Sequence, residues 1–426
     1  MSITNVTGRS ARFDRKILPW LLLAPALLVV FGLVVYPVGR TVWLSFRSAG
    51  LPYLASGQSR FVGLENYRAL LTDAHLRQVF VTTAVFGFAC VAATMAAGLA
   101  VALLLDQPFR GRSLLGVLVL LPWAVPRVAA GVVWRWMFDD QYGLVNWTLS
   151  HLGHDFTGFS WFNDRVPAFI AVGVVVVWQS FPFVALSLLA GLQSISPEVK
   201  EAARMDGAGP LQMLRHVTLP MLRPLLLTLV VVSTIWDFKI FDQVYVMTGG
   251  GPYRSTELAA ITVWREAFAR LHLGSAAALA VALFLVLLVM TVAYGRLARE
   301  EMAVWLLRSF FETIPKDLEE AAMSDGATRF GAMVRVVFPL AGPGLAATAI
   351  FSFIAAWNEF LFALTFLKKE KLRTLPVALS AFVGRSQADW GLIMAASVLF
   401  TVPVVMFFLA VHRRLTTGMV AGSVTG

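Results

Sequence analysis

Long stretches without a single charged residue restrict this chain to few folds. They include residues 18–36, 79–105 and 276–293. A helix needs about 20 apolar residues to cross the hydrocarbon core of a bilayer, which is about 30 Å thick. Only 14% of the residues are charged, whereas a soluble domain has about a quarter. The sequence therefore predicts an all-α polytopic membrane protein.

The apolar pattern predicts about eight transmembrane helices. An even number of spans places both termini on one side of the membrane. Taking the N-terminal side as inside gives 18 Lys and Arg in the inner segments and 13 in the outer ones. This excess predicts that both termini are cytoplasmic. The predicted spans are 18–40, 78–105, 113–138, 166–192, 221–246, 273–295, 343–364 and 391–411.

Several other classes of function find no support in the sequence. The net charge of +10 is explained by the basic inner segments, and no basic face with interleaved aromatic residues predicts nucleic-acid binding. The single cysteine, Cys90, lies in an apolar stretch and is expected to be buried. No histidines have metal-ligand spacing, and no nucleophile–base pattern predicts an enzyme. The phosphate-binding motif Gly-Lys-Ser/Thr is missing, so ATP is not expected to bind this chain.

An internal repeat is the most informative motif. Residues 201–224 and 320–343 share nine identities at an offset of 119. Chance is a poor explanation for matches that include a glycine and two prolines. The matching pairs are Glu201 and Glu320, Ala202 and Ala321, Ala203 and Ala322, Asp206 and Asp325, Gly207 and Gly326, Ala208 and Ala327, Val217 and Val336, Pro220 and Pro339, and Pro224 and Pro343.

Each copy predicts two short helices joined by a sharp bend. Ser196 and Pro197 are typical of a helix start, and Gly207 is typical of the left-handed residue that closes a helix. A second amphipathic helix is expected over 210–217, ending at Pro220. We interpret the loop as a docking element for another protein. An ordinary interfacial amphipathic loop is the alternative, although it does not require a repeat.

The repeated loop resembles the cytoplasmic loop of ABC importer permeases. The resemblance is carried by Glu-Ala-Ala, a glycine and an apolar residue followed by proline. It implies that these loops dock onto separate ATP-binding-cassette ATPase subunits, which handle ATP and Mg²⁺, and that this chain itself binds no cofactor and no metal. The implied docking residues are Glu201, Ala202, Ala203, Asp206, Gly207, Glu320, Ala321, Ala322, Asp325 and Gly326.

The resemblance covers nearly the whole chain. Residues 18–300 are similar to the first permease of carbohydrate importers of the maltose and glycerol-phosphate type, most specifically over 247–252. Residues 303–426 resemble the C-terminal part of the second permease, as in 357–360 and 372–376. We therefore predict a complete unit over 1–300 with six spans and a truncated unit over 301–426 with two. The resemblance implies a bacterial cytoplasmic-membrane protein whose partners are an extracytoplasmic sugar-binding protein, a carbohydrate substrate, membrane lipid and, as an open point, a second permease.

The truncation leaves alternatives open. The second unit has no counterpart of residues 18–180, so the chain is either a working fusion or a remnant with impaired transport. An ion-coupled secondary transporter is a further alternative, but it would favour paired carboxylates deep in the membrane.

Polar and aromatic residues within the spans are the candidates for a substrate pathway. Pro122 and Pro126 are expected to bend or break the third span next to Arg127, and broken spans often line a pathway. Asp237 and Glu359 either line a cavity or reach the headgroups. Aromatic rings suit the apolar faces of sugars, but they also pack between helices. The candidates are Trp123, Arg127, Trp178, Trp236, Asp237, Trp357, Asn358 and Glu359.

Overall fold

The structure, a computed structural model, is described for residues 23–25, 27–298, 316–340, 353–354, 356–367, 369–383 and 390–421. These residues are overwhelmingly helical. Among them the only strands are Arg47–Ser48 (β1) and Arg60–Phe61 (β2), which pair antiparallel. The predicted all-α class is confirmed.

The helices are numbered in chain order. They are α1 Leu23–Ser45, α2 Leu51–Ser56, α3 Glu65–Thr72, α4 Ala74–Asp106, α5 Arg112–Ala124, α6 Arg127–Met137, α7 Leu144–His151, α8 Arg165–Gln193, α9 Pro197–Met205, α10 over 210–221, α11 Arg223–Asp237, α12 Asp242–Met247, α13 Ala259–Trp264, α14 Leu273–Ala298, α15 Lys316–Ser324, α16 over 329–340, α17 Leu361–Phe366, α18 Leu375–Val383 and α19 Trp390–Ala421.

Five described stretches are long and apolar enough to cross a membrane: α1, α4, α8, Arg223–Met247 and Leu273–Tyr294. A sixth span results if α5 and α6, which meet at a bend of 98°, are counted together. These six coincide with the first six predicted spans. Half of the predicted span 343–364 lies outside the described residues. The predicted span 391–411 falls within α19, whose described apolar part is Trp390–Met406.

The chain divides into two compact units, one comprising Met1–Gln78 with Thr262–Val286 and the other Val79–Ile261 with Leu287–Gly426. In the first unit, two side chains of α3 tie that helix to the end of α1 and to β1. Asn66 donates hydrogen bonds to the carbonyls of Ser45 and Arg47, 2.8 and 3.0 Å away. Tyr67 donates to the hydroxyl of Ser45 at 2.6 Å. The bond to the Ser45 carbonyl satisfies one of the carbonyls that the end of a helix leaves without helical partners.

The second unit has a core between α4, α8 and α11. Its buried residues include Ala102, Leu188 and Leu229. Gly98 of α4 lets α8 approach closely, because a Cβ there would lie 2.5 Å from Cγ1 of Val184. Small residues at such crossings are typical of membrane helices, where packing replaces the hydrophobic effect as the source of association. Cys90 is buried in the same unit, as predicted.

The predicted domain boundary at residue 300 is based on the sequence repeat, whereas the two compact units are based on spatial contacts between residues. The two criteria divide the chain differently, and the division at residue 300 stays a prediction.

Candidate docking loops and membrane pathway

The first repeated loop begins with α9, Pro197–Met205. Ser196 occupies the position before the helix, as predicted. Its hydroxyl accepts no capping hydrogen bond from the backbone of α9 and donates to the carboxylate of Glu198. This hydrogen bond lowers the pKa of the Glu198 carboxyl. An ionised acid in the first turn of a helix interacts favourably with the helix dipole.

Gly207 closes α9 in the left-handed conformation that the sequence predicts, with φ +81°. The backbone N–H of Ala208 donates to the carbonyl of Ala203, and that of Gly207 donates to Arg204, both at 3.0 Å. This pair of bonds is a Schellman motif, which satisfies two carbonyls at the helix end.

The second loop reproduces this geometry at the offset of 119. Helix α15, Lys316–Ser324, has the bounds of α9 shifted by that number. Gly326 has φ +88°, and Ala327 and Gly326 donate to the carbonyls of Ala322 and Met323 at 3.0 and 3.1 Å. Both repeats therefore fold into the same helix with the same closure.

A π turn follows in both copies, over Met213–Thr218 in α10 and Met333–Val337 in α16. The predicted helix stop at Pro220 is wrong, because α10 continues to Met221. The backbone N–H of Leu219 bonds back five residues, to Leu214. This wider turn leaves room for the proline ring, whose N–H is missing in any case.

Both loops present apolar side chains at matching positions. Leu211 and Phe330, which are 119 residues apart, are 75% and 61% exposed. Val199 and Leu318, also 119 apart, are exposed as well. The acids and the first two residues of each Glu-Ala-Ala are exposed or nearly so. An exposed apolar pattern that recurs on two short helices is typical of a surface that another protein covers.

The predicted break in the third span is confirmed at Val125 and Pro126, between α5 and α6. The carbonyl of Val125 accepts a hydrogen bond from Gln179 Nε2 at 3.0 Å. Gln179 Oε1 in turn accepts one from Gln243 Nε2 at 2.9 Å. Both glutamines are buried, so this chain of amides satisfies a backbone group that the broken helix leaves free.

Four of the predicted pathway residues come together at the start of α6. The backbone N–H of Arg127 donates to Oδ1 of Asn358 at 3.0 Å, and its guanidinium lies 3.8 Å from the carboxylate of Asp242. Asp237 interacts electrostatically with Arg127, and Glu359 with Asp242. The break in the span therefore carries a cluster of charges.

Within this cluster, Asp237 is enclosed by protein and does not reach the headgroups, since it is 3% exposed. Its Oδ2 has no hydrogen-bond partner in the part of the chain that the structure describes. Glu359 is half-buried and accepts a hydrogen bond from the backbone N–H of Phe362 at the start of α17.

The four predicted tryptophans lie in three places. Trp123 and Trp357 border the same apolar cluster. The ring of Trp357 stacks on Phe353 and Phe400, and its N–H donates to the carbonyl of Phe400. The ring of Trp178 contacts that of Trp134 edge-on. The ring of Trp236 lies at a tilt against that of Phe183. All four therefore pack against apolar or aromatic neighbours.

The sequence reasoning missed Arg135, Gln179, Asp242 and Gln243 as site residues. Arg135 donates to the carbonyls of Val246 and Met247 at 3.1 and 2.6 Å, where α12 ends. All four lie in predicted spans, and a polar residue in an apolar span is the signal that could have identified them.

A cavity of about 250 Å³ lies beside α12. It is somewhat smaller than typical small-molecule sites, which are about 300–1,000 Å³. Tyr245, Arg373 and Ser380 supply polar groups to its wall. The lining residues are Tyr245, Leu364, Leu367, Arg373, Val377, Ser380 and Ala381.

Comparison with known families identifies the class of protein that carries this bent span and this repeated loop. The chain belongs to the family of binding-protein-dependent transport system inner membrane components, whose model matches residues 93–300 and again 301–420. It is thus a multi-pass inner-membrane permease. The predicted resemblance to ABC sugar permeases is confirmed.

Several characterised relatives are sugar-transport permeases. The chain is 37% identical over 296 residues to the diacetylchitobiose uptake system permease protein DasB of Streptomyces coelicolor, covering 69% of this chain and 90% of that one. It is 34% identical over 298 residues to the trehalose/maltose transport system permease protein MalF of Thermococcus litoralis, covering 69% and 98%.

A solved structure shares the fold. It is a bacterial ABC transporter involved in the import of the acidic polysaccharide alginate, with a TM-score of 0.59 and 17% identity, covering 68% of this chain and 98% of that one. At that identity the likeness shows the fold alone.

Proposed function

We propose that this chain is the permease of an ATP-driven carbohydrate importer. It passes a sugar from an extracytoplasmic binding protein to the cytoplasm by alternating access, and separate ATP-binding-cassette subunits supply the energy. The observation that carries the proposal is the repeated loop, which has the same helix bounds and the same Schellman closure in both copies. Two equal loops on one chain suit two equal ATPase subunits.

The order of the spans supports the placement of both loops on the cytoplasmic side. Two described spans, Arg223–Met247 and Leu273–Tyr294, lie between the loops. An even number returns the chain to the side from which it started. The two loops therefore lie on the same side whether or not the bent pair α5–α6 crosses the membrane. The N-terminus lies on that side only when the bent pair counts as a span, as the sequence predicts. The Lys and Arg excess then supports a cytoplasmic position for this side and for both termini.

The surface of each loop suits a protein partner. In either copy, apart from the left-handed glycine and its two chain neighbours, no atom of the described residues lies within 4 Å of the position where a Cβ would lie. A partner can therefore approach the backbone at Gly207 and Gly326. Exposed Leu211 and Phe330 supply apolar contact beside it. ATP and Mg²⁺ belong to the ATPase, and this chain transmits the closure of that subunit to its spans.

The charged residues at the break in the third span support a substrate pathway at that place. The cluster around Arg127 lies where α5 and α6 separate, and non-helical backbone at membrane depth is tolerated where protein or a water-filled cavity surrounds it. Relatives that are permease proteins of a diacetylchitobiose uptake system and of a trehalose/maltose transport system support a carbohydrate as the substrate. Trp123, Trp178, Trp236, Asp237, Trp357, Asn358 and Glu359 remain the proposed pathway residues with Arg127.

The decisive experiment changes one exposed position in each loop without altering its fold. Leu211→Glu and Phe330→Glu place a charge at the paired apolar positions, singly and together. The chain is co-expressed with its ATPase and without any other permease, and the complex is weighed by native mass spectrometry. We expect two ATPase subunits for the wild type, weakened retention of the ATPase in each single variant and none for the double variant, with loss of ATP-dependent sugar uptake.

The repeat itself provides a matched control. Met205→Ser gives the first loop the residue that the second loop has at the equivalent position, Ser324, and should leave binding and uptake unchanged. Two ATPase subunits retained by the double variant would refute docking through these loops. A wild-type chain that holds only one ATPase would mean that the fusion needs a second permease or is an impaired remnant. Sugar uptake that persists without any ATPase would favour an ion-coupled transporter.

A further inference from the structure

Two arginines enclose a tryptophan at the end of α1. The guanidinium carbon of Arg40 lies 4.1 Å from the ring centroid of Trp43, and that of Arg47 lies 3.9 Å from it. Arg40 is almost one helical turn before Trp43 on α1, and Arg47 lies just beyond the end of the helix, in β1. The indole ring thus holds two positive charges close to each other at one end of a membrane span.

Neutral groups fix both guanidinium groups. Arg40 donates a hydrogen bond to the hydroxyl of Tyr53. Arg47 donates to the carbonyl and the hydroxyl of Ser59, 3.0 and 3.3 Å away. Among the residues that the structure describes, neither arginine forms an ion pair with a carboxylate. The two guanidinium groups are therefore held in fixed positions, and no carboxylate of the described residues neutralises their two positive charges.

The position of the pair identifies the missing negative charge. Helix α1 ends at Ser45, and a tryptophan two residues from the end of a span lies at headgroup depth. Guanidinium groups match phosphate oxygens with two parallel hydrogen bonds, and they are weakly hydrated. The anion that is abundant at this depth is the phosphate of a phospholipid.

We propose that Arg40, Trp43 and Arg47 form a binding site for the phosphate of an anionic phospholipid such as phosphatidylglycerol. A zwitterionic lipid would bring its ammonium group towards two guanidinium groups, which would repel it. The site orients the first span relative to the bilayer, and it is independent of the proposed transport function.

The test uses the full chain, purified in detergent, and native mass spectrometry to count bound lipids. The probes are phosphatidylglycerol, phosphatidylcholine and inorganic phosphate. A basic residue near a membrane surface strengthens the attraction to anionic lipid by about 1 kcal/mol, or roughly fivefold in affinity. We expect Arg40→Gln and Arg47→Gln each to weaken phosphatidylglycerol binding about fivefold and the double variant about thirtyfold. Arg60→Gln, at an exposed arginine in the same unit, is the matched control and should change nothing.

Equal retention of phosphatidylglycerol by the wild type and the double variant would overturn the proposal. Equal retention of phosphatidylcholine would overturn the anionic class, and displacement by millimolar inorganic phosphate would show a site for free phosphate. If the double variant fails to fold, Arg40→Lys tests the proposal instead. Lysine keeps the positive charge but lacks the planar guanidinium group that stacks on Trp43. We therefore expect the affinity for phosphatidylglycerol to fall although the net charge of the protein is unchanged.

Discussion

The backbone N–H of Arg127 donates a 3.0 Å hydrogen bond to Oδ1 of Asn358, which lies 231 residues further along the chain. Arg127 is the first residue of α6, where the helix leaves its N–H groups without helical partners. Asn358 therefore acts as a cap that is supplied by a distant part of the sequence. The bond joins the break in the third span to the segment that resembles a second permease.

Removing this cap should destabilise the protein modestly. Asn358→Ala is expected to cost about 1 kcal/mol, as for other helix caps, and to lower the midpoint of thermal unfolding in detergent. Asn358→Asp keeps an acceptor oxygen beside the start of the helix and is the control. Equal midpoints for the wild type and the alanine variant would contradict the capping role.

The close approach of α4 and α8 should make Gly98 sensitive to a single methyl group. A Cβ there would lie 2.5 Å from Cγ1 of Val184 and 3.1 Å from the backbone nitrogen of Ala185. Gly98→Ala is expected to cost about 1–3 kcal/mol by overpacking, measured by thermal unfolding. Gly116→Ala is the matched control, because, apart from its chain neighbours and the backbone of its own helix, no atom of the described residues lies within 4 Å of its Cβ position and alanine favours a helix over glycine by about 1 kcal/mol. Similar losses in both variants would argue against the close contact.

The chain of buried amides should show strong coupling. Gln243→Leu leaves Oε1 of Gln179 without its donor, and Gln179→Leu leaves both the Val125 carbonyl and the Gln243 amide unpaired. Each single variant should cost about 1–3 kcal/mol. The double variant leaves only the carbonyl unpaired, so its cost should be smaller than the sum by about 0.5–3 kcal/mol. Additive losses in a double-mutant cycle of unfolding would refute the network.

Arg135 should hold the end of α12 in place. Its two hydrogen bonds to the carbonyls of Val246 and Met247 are absent in Arg135→Met, and we expect faster hydrogen exchange over residues 244–251. Arg135→Lys keeps a charge but not the planar fork, and should give an intermediate rate. Unchanged exchange in the methionine variant, with α9 as the reference helix, would show that Arg135 is not needed there.

The local features of the fold could be predicted because single residues determine them. Gly207 and Gly326 supply the left-handed closure, and Pro126 ends one helix and precedes another. The continuation of α10 past Pro220 could not be predicted in this way, because a π turn removes the clash that normally stops a helix at proline.

The candidate pathway shows a similar limit. Asp237 and Glu359 could be selected as charges within spans, but their burial depends on which helices surround them. Arg135, Gln179, Asp242 and Gln243 form their bonds with residues far away in the sequence. No spacing rule connects Gln179 to Val125, since only the tertiary fold brings the freed carbonyl to the amide.

Two matching loops on one chain also determine how strongly a dimeric partner is held. Once one subunit of such a dimer binds the loop around Gly207, its sister meets the loop around Gly326 at an effective concentration in the millimolar range. Avidity of this kind strengthens binding by about 10²–10⁴ without any new contact. Each loop can therefore be weak by itself, and an ATPase that releases one loop during its cycle stays attached through the other.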